Sequence, residues 1–242
     1  MPFVTAAPLS HRGGRAYNQD CTGYTTDQMR GCWVLADGLG GHAAGEIASC
    51  TASEAAIKAF ETQPSLSSEA LQAYITQAQD AVLTRQRDEP DLASMKTTLV
   101  VLVANEREAR WAHVGDSRLY AFHEGRAVAQ TVDHSVPEAL VTAGEITRAE
   151  IREHPDRNRL LRALGKRGGI RATVSEAHPI EPGDVFLLCS DGFWEYVLEA
   201  EMELDLQATD SPDAWLAAME RRLLARVPGD HDNYSALAVF VT

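Results

Sequence analysis

Apolar residues along this 242-residue chain fall into two textures. Short runs rich in Val, Leu and aromatic residues, each bounded by Gly, Asp or Asn, predict strands at 31–37, 97–104, 109–115, 118–123, 184–190 and 235–241. The four polar residues 105–108 suit a hairpin between the second and third of these. Elsewhere the apolar positions recur every three to four residues. Segment 42–62 carries Ile47, Thr51, Ala55 and Phe60 at that spacing, and 68–87 carries Leu71, Ile75, Ala78 and Val82. A third, more polar helical region is expected at 137–163, interrupted near Gly144 and Pro155, and a last helix at 212–227. Two helices in succession and then a run of strands predict an α+β fold rather than alternating α/β. Without repeats, low-complexity tracts or linkers, residues 1–242 read as one domain.

Composition narrows the functional classes. The chain holds 35 acidic and 22 basic residues, a formal charge of −13. That balance speaks against nucleic acid, whose phosphates are held by clustered Lys and Arg. Cys21, Cys32, Cys50 and Cys189 are scattered, form no CxxC pair, and read as reduced thiols. The start of the chain lacks a basic-then-apolar leader, and the longest apolar run, 99–104, is too short for a bilayer. A cytoplasmic monomer, with no membrane insertion, is the expectation. Trp33, Trp111, Trp194 and Trp215 lie in apolar patterns and are expected in the core.

The candidate chemistry lies in aspartates at the ends of apolar strands. Asp37 closes WVLAD before GLGG; Asp191 follows VFLLCS; Asp232 precedes YSALAVFV. Asp20 follows Asn18-Gln19, and Asp116 follows HVG. A carboxylate at a strand end is rigid yet projects from the sheet edge, and hard cations such as Mg²⁺ and Mn²⁺ take such oxygen ligands. One such Asp is commonly only a turn former. Several together are costly to bury without compensating cations.

Competing readings of ADGLGGHAAGE fail on context. Residues 38–43 satisfy GxGxxA, but a second helix follows in place of a strand bearing a ribose-binding acid, and Asp37 would repel a pyrophosphate. No GxxxxGK[ST] occurs. A phospho-aspartate mechanism of the haloacid dehalogenase type needs an Asp where Leu39 stands.

Five motifs resemble, in order, those of the metal-dependent type 2C (PPM) protein serine/threonine phosphatases, most closely the compact bacterial form. They are Arg15-Ala-Tyr-Asn-Gln-Asp20, Ala36-Asp-Gly-Leu-Gly-Gly41, Val114-Gly-Asp-Ser-Arg118, Ser190-Asp-Gly192 and Asp232-Asn233. Asp133-His-Ser135 and residues 159–165 resemble that form's flap region, placed here at about 135–169. The resemblance implies a β-sandwich of two antiparallel sheets flanked by helices on both sides, with a helical flap insertion that is loosely packed and faces the substrate. It implies two Mn²⁺ or Mg²⁺ ions bridged by Asp37. The Gly38 carbonyl would ligate one, Asp191 and Asp232 the other, with Asp20 in or near the shell and Asn233 fixing the loop. Asp116 would support a third, weaker cation, and Arg15 would grip the substrate phosphate. Two cations roughly 3.5–4 Å apart lower the pKa of a shared water, whose hydroxide attacks phosphorus in line. The implied partners are phosphorylated proteins, including a Ser/Thr kinase and its substrates.

This chain departs from the family pattern at three places. Gln19 stands where many members carry Glu, Glu195 where Asp would help hold the third cation, and Leu39 where eukaryotic members carry a histidine. His42 and His231 are the nearest candidates for that missing general acid, although a lone His is more often structural. Rival readings are a catalytically weak module that binds phosphorylated partners and a simple divalent-cation sensor. The first rests only on these three departures. The second would not need Arg15 and lacks an EF-hand loop.

Overall fold

A computed structural model describes residues 3–41 and 44–242. In chain order the elements begin with strands β1 (Val4–His11), β2 (Asp20–Thr26) and β3 (Arg30–Leu39). Helices α1 (Ala44–Thr62) and α2 (Ser68–Asp88) follow. Next come β4 (Lys96–Thr97), β5 (Leu99–Asn105), β6 (Glu108–Val114), β7 (Arg118–His123) and β8 (Arg126–Gln130). Helix α3 (Val136–Thr142), β9 (Thr173–Val174), β10 (His178–Pro179) and β11 (Val185–Cys189) lead to α4 (Asp191–Trp194). The chain ends with α5 (Glu199–Gln207), α6 (Pro212–Leu224) and β12 (Tyr234–Val241).

The strands form two antiparallel sheets, ordered β1-β12-β11-β7-β8 and β10-β6-β5-β3-β2, with β4 and β9 as short additions to β3 and β6. All six strands expected from sequence are interior strands of these sheets, β3, β5, β6, β7, β11 and β12.

Their near-continuous apolar runs have a structural cause, because both faces of each sheet are covered. Along β3, Trp33 and Leu35 point between the sheets, against Phe186, Leu188, Leu237 and Val239. The alternate residues Cys32, Val34 and Ala36 meet Ala48, Ala52, Leu71 and Ile75 of α1 and α2. On the other outer face, Tyr120, Phe122 and Leu187 pack with Trp194, Met202 and Trp215 of α4, α5 and α6. Period-two alternation therefore feeds three apolar layers in an αββα stack. All four tryptophans are buried.

The helix at 42–62 matches α1, although its expected start at His42 lies outside the described residues. Ser67 caps α2 by accepting the Ala70 N–H at 3.1 Å, and Ser211 caps α6 ahead of Pro212. The third helical region needs correction. Helix occupies only Val136–Thr142, followed by a 3₁₀ turn at Arg148–Glu153, and 154–172 is irregular. Gly144, at φ 75°, ends the helix in the left-handed region, and Pro155 prevents its resumption. This polar segment is nevertheless anchored, with Ile151, Ala163 and Leu164 all buried.

Candidate active site

Antiparallel pairing brings the ends of five elements to one edge of the sandwich. Asp37 and Gly38 lie at the end of β3, and Asp20 opens β2 directly opposite Asp37 in register. Asp116 occupies the turn between β6 and β7, Asp191 opens α4 just after β11, and Asp232 stands two residues before β12. Between them lies a cavity of about 540 Å³, lined by Arg15, Asp37, Gly38, Asp116, Asp191 and Asp232. Asp20 is buried and couples electrostatically to Asp191 and Asp232.

Backbone contacts set each carboxylate. The Asp37 N–H donates to Thr98 Oγ1 at 2.9 Å, while its carbonyl accepts from Thr98 N–H at 2.9 Å and Thr97 Oγ1 at 2.8 Å. A Cβ on Gly38 would stand 2.1 Å from the Gly45 carbonyl oxygen, so only glycine lets α1 approach this strand end. Likewise a Cβ on Gly192 would meet the Asn233 carbonyl oxygen at 2.1 Å, and glycine there brings Asp191 beside the Asp232 loop. Asn233 ties that loop to the N-terminal one. Its side-chain oxygen accepts the Gln19 N–H, and its amide donates to the Arg12 and Tyr17 carbonyls, each at 2.8 Å.

The acids repel one another, and the protein supplies little to offset it. Burial chiefly, then Asp191 and Asp20, pushes the Asp37 carboxyl well above the usual range. Asp116 is raised in the same way, by burial and then Asp191. Burial lifts Asp20 to about 7, with Asp191 and Asp232 adding repulsion against the hydrogen bond from Ser190. Asp191 rises to about 6 through burial and Asp232. Asp20 Oδ1 is buried with no hydrogen-bond partner among the described residues. The oxygen-rich donor set, its unmet charge and this unpartnered oxygen fit hard divalent cations. The acids stand around the cleft rather than closed on a point: among the described residues no three acids, thiols or imidazoles already form a coordination cluster.

Arg15 stands at the mouth, half exposed, and donates from Nη2 to Asp232 Oδ2 at 3.0 Å. The departures from the family pattern also fall around this cleft. Gln19 lines it and donates to the Gly40 carbonyl at 3.1 Å, and Leu39 lines it too. Glu195 is paired with Arg157 at 3.0 Å, and burial raises it to about 7. His231 is engaged structurally, with Nδ1 2.6 Å from the Pro228 carbonyl and its ring stacked on Tyr234. His42 lies outside the described residues.

Sequence reasoning missed several contributors. Asn158 and Leu160 line the cavity from the irregular segment, and Tyr17 lines it from the N-terminal loop. Ser190, Thr97 and Thr98 orient Asp20 and Asp37. His134 holds the Asp116 turn by accepting the Gly115 N–H at its ring Nδ1 and donating its backbone N–H to the Gly115 carbonyl. Such small polar residues carry no signal beyond their neighbours in the motifs.

Comparison with known proteins identifies the family and the fold. The sequence pattern of the protein phosphatase 2C family matches residues 9–230. The chain belongs to that family. It is 32% identical over 235 residues to the serine/threonine phosphatase stp of Listeria innocua, covering 93% of this chain and 90% of the relative. The crystal structure of the Mycobacterium tuberculosis serine/threonine phosphatase PstP/Ppp superposes with a TM-score of 0.83 at 30% identity, covering 98% of each chain. A second structure, the PstP catalytic domain in complex with two manganese ions, gives a TM-score of 0.83 at 30% identity over 99% of this chain and 98% of the other. The two antiparallel sheets flanked by helices are thus the architecture of the protein phosphatase 2C family.

Proposed function

We propose that this chain is a metal-dependent protein phosphatase that hydrolyses phosphoserine and phosphothreonine on other proteins. The observation that carries the reading is the cleft of mutually repelling, buried carboxylates with Arg15 at its mouth. The names of its relatives, and the two manganese ions held by one of them, support it.

In this reading Asp37 would help hold both of two cations, Mn²⁺ or Mg²⁺. The Gly38 carbonyl would hold one, and Asp191 and Asp232 the other, with Asp20 in or near the shell and Asp116 supporting a third. When bound, the cations supply an acidified water and neutralise charge on the phosphate. The chain's own groups do the rest. Asn233 and Gly192 keep the Asp232 and Asp191 segments together, and Thr97 and Thr98 fix Asp37 against the sheet. Arg15, whose guanidinium donates to Asp232 at the mouth, would give two charge-assisted hydrogen bonds to the phosphate. Glu195 leaves the third position weaker, because Arg157 already holds it.

The same reading takes 1–242 as one catalytic domain with a substrate-facing flap at about 135–169. It acts as a cytoplasmic monomer on a Ser/Thr kinase and that kinase's substrates. Four free cysteines are compatible with a reducing compartment, and no helix of the described residues is long and apolar enough to cross a membrane. Hydrolysis of a phosphothreonine peptide by chelated protein, before and after Mn²⁺ or Mg²⁺ is restored, tests the activity. Turnover that disappears on chelation and returns with metal is expected; metal-independent turnover, or none from folded protein, overturns it.

A further inference from the structure

Beside the catalytic cleft lies a second depression of opposite character. It has a volume of about 330 Å³ and is lined by Leu161, Arg162, Lys166, Arg167, Ile170 and Arg171 among others. Leu160 lines the catalytic cavity and Leu161 lines this groove, so the two adjoin across one peptide bond. In a chain with 35 acidic against 22 basic residues, the stretch 157–175 contains six basic residues and no acid. The four groove cations are exposed, and none has a carboxylate within 4.0 Å among the described residues. Their known contacts are to neutral groups: Lys166 Nζ donates to the Leu161 carbonyl at 2.9 Å, and Arg162 reaches His134 at 3.3 Å.

The groove is also built. Gln72, Gln79 and Gln86 recur at seven-residue intervals on one face of α2, and each clamps its backbone. Gln72 holds the Ile170 carbonyl and the Ala172 N–H, both at 3.1 Å. Gln79 holds the Lys166 carbonyl at 2.7 Å and the Gly165 N–H at 2.8 Å, and Gln86 holds the Gly165 carbonyl at 2.8 Å. On the cleft side, Leu161 N–H donates to the His134 carbonyl at 2.8 Å, and Leu164 pairs with Thr97. Side-chain amides that satisfy the backbone leave the cationic side chains facing outward on a fixed frame.

We infer that this groove binds an acidic segment of the phosphoprotein substrate, flanking the residue whose phosphate enters the cleft. The inference rests on the phosphatase reading and names the substrate class that reading leaves open. Clustered cations without protein partners favour carboxylate-bearing or further-phosphorylated neighbours, and the apolar Leu161 and Ile170 accommodate the chain between them.

The test compares two phosphothreonine peptides that differ only in Asp and Glu, or Asn and Gln, at the positions flanking the phosphoresidue. The expected result is a kcat/KM about fivefold or more higher for the acidic peptide, mostly through KM, shrinking as salt is raised. In the Arg167→Gln/Arg171→Gln double variant the ratio between peptides falls towards one. Equal kcat/KM for both peptides with the unaltered protein overturns the inference while leaving the phosphatase reading intact, as does a preference that persists unchanged in the double variant. Failure to turn over either peptide with Mn²⁺ overturns both.

Discussion

Asp116 and Asp133 are both buried and differ in how their charge is met. Asp133 takes a two-pronged ion pair from Arg118, at 2.9 and 2.8 Å, with both side chains almost fully buried. The Arg118 guanidinium lies 3.5 Å over the Trp194 ring, and the Trp194 indole N–H donates to the Asp116 carbonyl at 3.0 Å. The Asp116 carboxyl has no such partner among the described residues, and burial beside Asp191 raises it far above the usual range. A buried carboxylate answered within the chain is part of the scaffold. One left unanswered beside four others is a place for a charge from outside.

The largest effects should separate these two kinds of aspartate. Asp37→Asn or Asp191→Asn is expected to cut phosphopeptide turnover by about a thousandfold or more, since each removes a proposed cation ligand. Melting of the metal-free variants should stay level or rise, because a like charge has gone from the cluster. Unchanged turnover in both variants would remove the assigned site. Arg118→Met should do the reverse, leaving Asp133 buried and unpaired at a cost of about 3–5 kcal/mol. Denaturant titration checks it, and a loss below about 1 kcal/mol would show that the pair is not structural. A smaller effect is expected at the groove. Gln79→Leu strands a buried N–H and a carbonyl, costing about 1–3 kcal/mol. It should also lower the preference for acidic peptides more than the turnover of neutral ones.

How much was legible in advance followed burial. The six interior strands have both faces covered and so stand out as apolar runs. The strands that were missed lie at edges or add only two residues. β1 contains Pro8, β2 is DCTGYTT and β8 is RAVAQ, with few buried positions to mark them. Helix α5, EAEMELDLQ, buries only Met202, Asp205 and Leu206 and is otherwise acidic. Aspartates at strand ends were visible because glycines and apolar runs frame them. Their convergence was not, since Asp20 and Asp37 meet through strand register, and Asp191 and Asp232 through a glycine contact. The groove was invisible for the same reason, because its frame comes from α2, far away in sequence.

The unanswered charge of the cleft is tested most directly by the melting temperature of chelated protein, with and without Mn²⁺, at pH 8 and pH 6. Carboxyls whose folded pKa is raised contribute stability that is complete below their unfolded value, near 4, and lost as pH rises through the folded values of about 6 to 7. The metal-free protein should therefore melt higher at pH 6 than at pH 8. Mn²⁺ should raise the melting temperature more at pH 8, where it does not compete with protons, and should do little for Asp37→Asn. A melting temperature indifferent to Mn²⁺ at both pH values would contradict the account.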